Sequence, residues 1–115
     1  MIGDADLNLV FEAASSPDMR RVFVKTSEEF FGRDIFGKVQ QMLDDHIPFK
    51  EAGMLRVIDL IDFDFGPSNG YWHTTHDTVD KCSAQSLATV GSLVLKALPD
   101  IETWLQGVLP GSLKK

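Results

Sequence analysis

The sequence has a single cysteine, Cys82, among its 115 residues, so no intrachain disulfide can form. One thiol leaves the redox compartment open, because a lone cysteine serves most often as a small buried or half-buried residue. Basic residues are also scarce: eleven Lys and Arg stand against seventeen Asp and Glu, a formal net charge of -6. They are scattered rather than gathered into a stripe, which argues against a phosphate backbone as partner. Long apolar runs are absent too. The longest uncharged stretch, from Cys82 to Leu95, is broken by Ser83, Gln85, Ser86, Thr89 and Ser92. It falls short of the roughly 20 apolar residues that a membrane span requires. The opening Met1-Ile2-Gly3-Asp4 has no basic region ahead of an apolar stretch, so no secretory signal is expected, and the chain as it stands reads as cytoplasmic.

What is present is enough for one globular core, with 43% hydrophobic and 24% charged residues in a length suited to a single domain. Leu7, Leu9 and Phe11 alternate with Asn8 and Val10, a period of two that predicts a short strand. Ser15-Ser16-Pro17-Asp18 offers a capping hydroxyl, a proline for the first helical position and an early acid, and Gly32 is placed for a left-handed cap. A helix over 17–31 follows. Ile35 and Phe36 are read as a second short strand followed by a turn, although Ile35, Val39, Met42 and Leu43 would also line one helical face, and Asp45 to Gly53 as a two-turn helix with Asp45 as its cap. Leu55 to Phe63 is the strongest strand pattern, apolar on both faces except at Arg56, Asp59 and Asp62. That implies a sheet covered by helices on each side. Ser83 caps a last helix that Pro99 should end, with a turn or two more from Ile101 to Leu109 before a frayed Lys114-Lys115 tail.

The residues from Asp64 to Lys81 form a long loop rich in aromatics, at the end of the best strand. Ligands of open α/β sheets bind at such ends. His73, His76 and Asp77 lie within five residues here, and imidazole nitrogen with carboxylate oxygen suits zinc. Loop histidines flanked by threonines also serve as plain surface residues or local hydrogen bonders. A second cluster, Asp44-Asp45-His46, places two like charges side by side, which raises one carboxyl's affinity for its proton; it also reads as a helix cap with a solvated neighbour.

Taken together, Met1-Ile2-Gly3, Asp44-Asp45-His46-Ile47-Pro48-Phe49, Glu51-Ala52-Gly53, the run Ile58 to Asp64, and Tyr71-Trp72-His73-Thr74-Thr75 with Asp77-Thr78 form an ordered series. The series resembles the C-terminal portion of the zinc-dependent exopeptidases that include bacterial aminopeptidases and glutaminyl cyclases, and the resemblance runs to about Leu98. It implies the C-terminal half of a mixed-sheet α/β fold, with few strands covered by helices. It further implies His73 as a metal ligand, Trp72 as the aromatic wall of the substrate pocket, Asp44 as a buried acid in proton transfer, and Asp77 as a group orienting the loop. His76 falls at a variable position and takes no role. The family substrate would be a peptide N-terminus.

The family's other ligands, a bridging aspartate and two glutamates, come from sequence ahead of the Met-Ile-Gly word. With one ligand by resemblance where three or more are needed, no tightly bound zinc and no activity are expected of the chain alone. Three readings therefore stand: part of an aminopeptidase-type hydrolase, part of a glutaminyl-peptide cyclotransferase, or a non-catalytic remnant. A partial sheet would also expose apolar surface, which predicts a homo-oligomer.

Overall fold

The computed structural model describes the backbone of residues 1–113 and the side chains of residues 1–107. Val108 and Leu109, as side chains, and the Lys114-Lys115 tail lie outside the described residues. The order of elements is β1 (Phe11–Glu12), α1 (Pro17–Phe31), β2 (Val39–Gln40), α2 (His46–Glu51) and α3 (Ala84–Leu113), with two short 3-10 turns at Pro67–Asn69 and Val79–Lys81. This is the α/β architecture with few strands that the sequence implied.

Helix α1 starts and stops on local chemistry. The Ser16 hydroxyl accepts the Met19 N–H, Pro17 occupies the first turn, and Gly32 adopts φ 73°, a left-handed conformation open to glycine without a Cβ penalty. Helix α3 starts where Ser83 accepts the Ser86 N–H at 3.0 Å. It does not stop at Pro99. The proline removes one internal hydrogen bond, a loss on the order of 3 kcal/mol in a helix interior, but tertiary contacts beyond it hold the helical course. Ile101 packs on the core, Lys25 reaches Asp100 at 3.1 Å, and the Arg56 guanidinium lies 5.5 Å from the Trp104 ring centre.

The strands are shorter than their patterns. β1 and β2 run parallel, with Phe11 opposite Val39 and Glu12 opposite Gln40. On the other side of β1 the expected strand from Leu55 to Phe63 is an extended segment without a ladder. Its main-chain bonds to the β1 stretch are the Val10 N–H to the Ile61 carbonyl and the Ser16 N–H to the Val57 carbonyl, with one isolated antiparallel bridge between Leu9 and Asp62. Polar side chains capture the donors a ladder would use. Asp62 accepts the Asn8 and Asp64 N–H groups, and the Ser15 hydroxyl accepts the Asp59 N–H. The same competition removes the expected strand at Ile35 and Phe36, whose N–H groups go to the Ser27 hydroxyl and the Asp34 carboxylate. Regular pairing begins only at Val39.

Leu9 and Val10, adjacent on an extended chain, face opposite ways. Leu9 joins Phe23 of α1 and Val90, Leu93 and Ala97 of α3 in the main core. Val10 joins Met42 and Ile61 in a smaller cluster that contains no residue of α1 or α3. Both long helices therefore pack on one side, while on the other the short α2 sets His46 against Glu12, which shares the Val10 face.

Candidate functional site

The loop after the extended segment is anchored at its base. Phe65 is buried, its N–H donates to the Asn69 side chain at 3.0 Å, and its carbonyl accepts the Tyr71 N–H at 3.0 Å. The Phe65 and Tyr71 rings meet edge to face at 5.4 Å. Gly66, at φ 76°, makes the turn possible, and a Cβ there would run into the Tyr71 ring.

Tyr71 leads directly into Trp72 and His73. His73 itself has φ 54°, a left-handed conformation that few residues other than glycine adopt; such strain concentrates at functional positions. Its ring stacks on Trp72, centres 4.0 Å apart and planes 16° from parallel, and Trp72 meets Phe63 edge to face at 5.0 Å. Both residues of the pair are exposed. The loop thus holds an imidazole out to solvent on an aromatic backing. The Thr74 hydroxyl donates to the Tyr71 carbonyl at 2.9 Å and accepts the His76 N–H at 3.2 Å. Asp77 contributes only its backbone N–H, given to the Thr74 carbonyl. That bond is of the backbone kind expected of Asp77 in orienting the loop, and side-chain bonds of Asn69 and Thr74 add to it.

Asp44 sits apart from that loop. It borders an open depression with His46, Phe49, Met54, Val57 and Asp59, a set that does not include Trp72 or His73. The expected burial of Asp44 is not met: it is exposed, and its carboxylate accepts the neighbouring Asp45 N–H at 2.8 Å. Asp45, expected as the α2 cap, makes no capping bond with its side chain.

The buried ionisable group of this region is instead His46. Its Nε2 lies 3.2 Å from Glu12 Oε2 and its Nδ1 lies 3.5 Å from Asp59 Oδ2. Glu12 is almost wholly enclosed, and its carboxylate also accepts N–H bonds from Ala14, Ser15 and Met42 and the Ser15 hydroxyl. Burial by itself pushes the Glu12 carboxyl upward, but those bonds together hold it below the ordinary glutamate range. Asp59 is raised, chiefly by burial and further by the nearby Asp44 and Glu12 charges, with His46 opposing. Asp62 is likewise raised by burial, against the Asn8 and Asp64 N–H bonds. Sequence reading missed this triad because Glu12, His46 and Asp59 are far apart along the chain. The one available signal was a carboxylate, Asp59, inside an otherwise apolar run.

For zinc, the residues of this chain do not make a set. Among the described residues no group of three His, Cys, Asp or Glu side chains is arranged to hold a metal ion. No described helix is long and apolar enough to cross a membrane.

The sequence of residues 1–98 matches the family described as peptidase family M28. The chain belongs to the M28 family. Members of that family are generally zinc-dependent. The M28 chain also matches a solved structure, the crystal structure of a glutaminyl cyclase from an Acidobacteriales bacterium, at 38% identity and a TM-score of 0.81. The alignment covers 88% of this chain and 36% of that one, so the M28 chain spans about a third of the length of that relative. No curated protein matches significantly.

Proposed function

We propose that this M28 chain forms one wall of a glutaminyl-cyclase-type site, with His73 as a single metal ligand and Trp72 as the aromatic surface against which a peptide N-terminus rests. The observation that carries the reading is the His73 imidazole, held exposed and stacked on Trp72 in a chain 38% identical to a glutaminyl cyclase. In such a reaction the α-amine of an N-terminal glutamine attacks its own side-chain amide carbon and ammonia leaves. The resemblance gives the proton transfer between the two nitrogens to Asp44, although its carboxylate borders a depression that includes neither Trp72 nor His73. Three protein ligands are expected at a catalytic zinc, and this chain supplies one. By itself it binds no zinc tightly and turns over no substrate.

A second reading, an aminopeptidase-type hydrolase acting on peptide N-termini, draws support from the family match and from the His73-Thr74-Thr75 and Asp77-Thr78 pattern. One experiment separates the two. Residues 1–98 are spliced into the matched cyclase in place of its equivalent segment. Ammonia release from glutaminyl peptides, abolished by His73→Ala, is the expected result, and hydrolysis of aminoacyl chromogenic substrates instead selects the peptidase. Calorimetric zinc titration of the 115-residue chain tests the incomplete site: stoichiometric tight binding that disappears in His73→Ala refutes it.

The same proposal includes self-association. Val39, Leu43, Phe49, Met54 and Leu55 are large apolar side chains left open to solvent, with Leu43 93% exposed. A second copy covering this surface would remove it from water. Light scattering at micromolar concentration should show a mass above that of one chain, lowered by Leu43→Lys with Leu55→Lys; a clean monomer overturns it.

A further inference from the structure

We propose that Glu12, His46 and Asp59 form a proton-operated clasp that fixes the turn carrying Asp44 against β1 and the extended segment from residue 55 to 63. The proposal concerns a buried group that neither reading of the M28 site uses, and it holds whichever reaction that site serves.

The clasp joins three pieces of chain distant in sequence. Glu12 comes from β1, His46 from the start of α2, and Asp59 from the extended segment. His46 is 7% exposed, and each ring nitrogen faces a different carboxylate. A neutral imidazole carries hydrogen on one nitrogen, so it can donate to only one of the two; the protonated ring donates to both. The number of segments that the ring holds therefore changes with one proton.

The distances show how the clasp would work. At 3.2 and 3.5 Å the ring is within ion-pair range of both carboxylates, yet neither nitrogen meets hydrogen-bond geometry, and Asp59 Oδ2 is also buried without a partner. An unsatisfied buried donor and acceptor face each other, a costly arrangement in a medium of low dielectric. A positive charge on the ring draws it onto both carboxylates and satisfies all of them at once. The loss of that charge leaves Asp59 and Glu12 as two anions flanking a ring that can serve one.

The surrounding charges are arranged around this balance. Asp44, on the turn just before α2, adds a negative potential at Asp59. Asp45 borders the same depression. Arg20, from α1, gives its Nη1 to the Glu12 carbonyl at 3.4 Å, while its buried Nε has no partner. Lys50, from α2, gives its Nζ to the Ala14 carbonyl at 2.7 Å and ties the far end of that helix to the residues after β1. Burial raises Asp59, whose Oδ2 faces the ring Nδ1 at 3.5 Å.

The test is a pH titration by NMR on the whole 115-residue chain, without metal. The His46 ring carbon resonance and the amide resonances of Ser15, Asp45 and Asp59 are followed together. The expected result is one shared midpoint at all four positions, and in Glu12→Gln a midpoint moved to lower pH than in the unaltered chain. Glu51→Gln, an exposed change on the same helix, should leave the midpoint where it was. If Glu12→Gln does not fold, Asp59→Asn serves in its place with the same expected direction. A His46 ring that titrates while the Ser15 and Asp59 amides stay still overturns the proposal, as does a midpoint that neither carboxylate substitution moves. Zinc binding and turnover play no part in these readouts, so a failed clasp is distinguishable from a failed cyclase reading.

Discussion

Trp72 lies flat on His73, the two rings 4.0 Å apart and 16° from parallel, while its other contact is an edge-to-face meeting with Phe63 at 5.0 Å. The indole thus links the loop histidine to the extended segment behind it. Pairs of aromatic rings in such geometries contribute about 0.5–1.5 kcal/mol beyond the area they bury. Trp72→Ala should lower the stability to urea by about 1 kcal/mol, whereas Trp72→Phe, which keeps a ring between the two neighbours, should lose less than half of that.

Two glycines should respond in opposite directions to the same substitution. Gly66→Ala places a Cβ in the space of the Tyr71 ring at a φ of 76°, and a left-handed non-glycine residue costs about 1–2 kcal/mol before any clash. Gly91, exposed in α3, has nothing within 4 Å of its would-be Cβ. Gly91→Ala should stabilise the chain by about 0.5–1 kcal/mol through helix propensity. Urea midpoints of the two variants measure both effects.

These contrasts reflect what a sequence can reveal. Ser16, Pro17 and Gly32 bounded α1 correctly because caps act within a few residues of the helix they end. The long aromatic loop was legible for the same reason, since Gly66, Pro67 and Gly70 punctuate it locally. The strand from Leu55 to Phe63 was not, because its ladder is pre-empted by Ser15 and Asp62, and no local pattern tells which side chain will capture a backbone donor 44 or 54 residues away. Pro99 misled in the opposite sense: its local signal is a helix stop, and packing of Ile101 and Trp104 overrides it. In the candidate site, the sequence pointed to His73 and Trp72, which the fold brings together, but it gave Asp44 a burial that belongs to His46.

The main core has a clear centre. Leu93 is fully buried among Leu9, Phe23, Val90 and Ala97, where α3 meets α1 and the β1 stretch. Truncating a leucine in such a place removes its transfer free energy and leaves a cavity, about 2–5 kcal/mol in all. Leu93→Ala should fall in that range by thermal or urea unfolding, a large share of a small domain's stability. Leu95→Ala, two residues on and 70% exposed, should change it by less than about 0.5 kcal/mol.

Acid stability should depend on Glu12. Its folded carboxyl lies below the ordinary value of 4.5, so the ionised form is favoured by folding. The resulting stability is present in full above pH 4.5 and is lost as pH falls through the folded value. In Glu12→Gln that contribution is absent at every pH. The gap between the two unfolding curves should therefore be widest above pH 4.5 and narrow steadily below it. A gap that widens as pH falls below 4.5 would contradict the assignment. Asp59 and Asp62, raised by burial, have the opposite sign: folding favours their protonated forms, and each adds stability as pH falls through its folded value.

The Ser15 hydroxyl gives its hydrogen to Glu12 Oε2 at 2.8 Å and accepts the Asp59 N–H at 2.9 Å. One small side chain, 1% exposed, thereby stands at the junction of two segments separated by 44 residues. For the energetics of the fold this means that position 15 does not act alone. A change to alanine removes one bond from the Glu12 carboxylate, which keeps the Ser15 N–H, and strands the Asp59 N–H. Substitutions at positions 12, 15, 46 and 59 should then carry coupled rather than additive costs in stability.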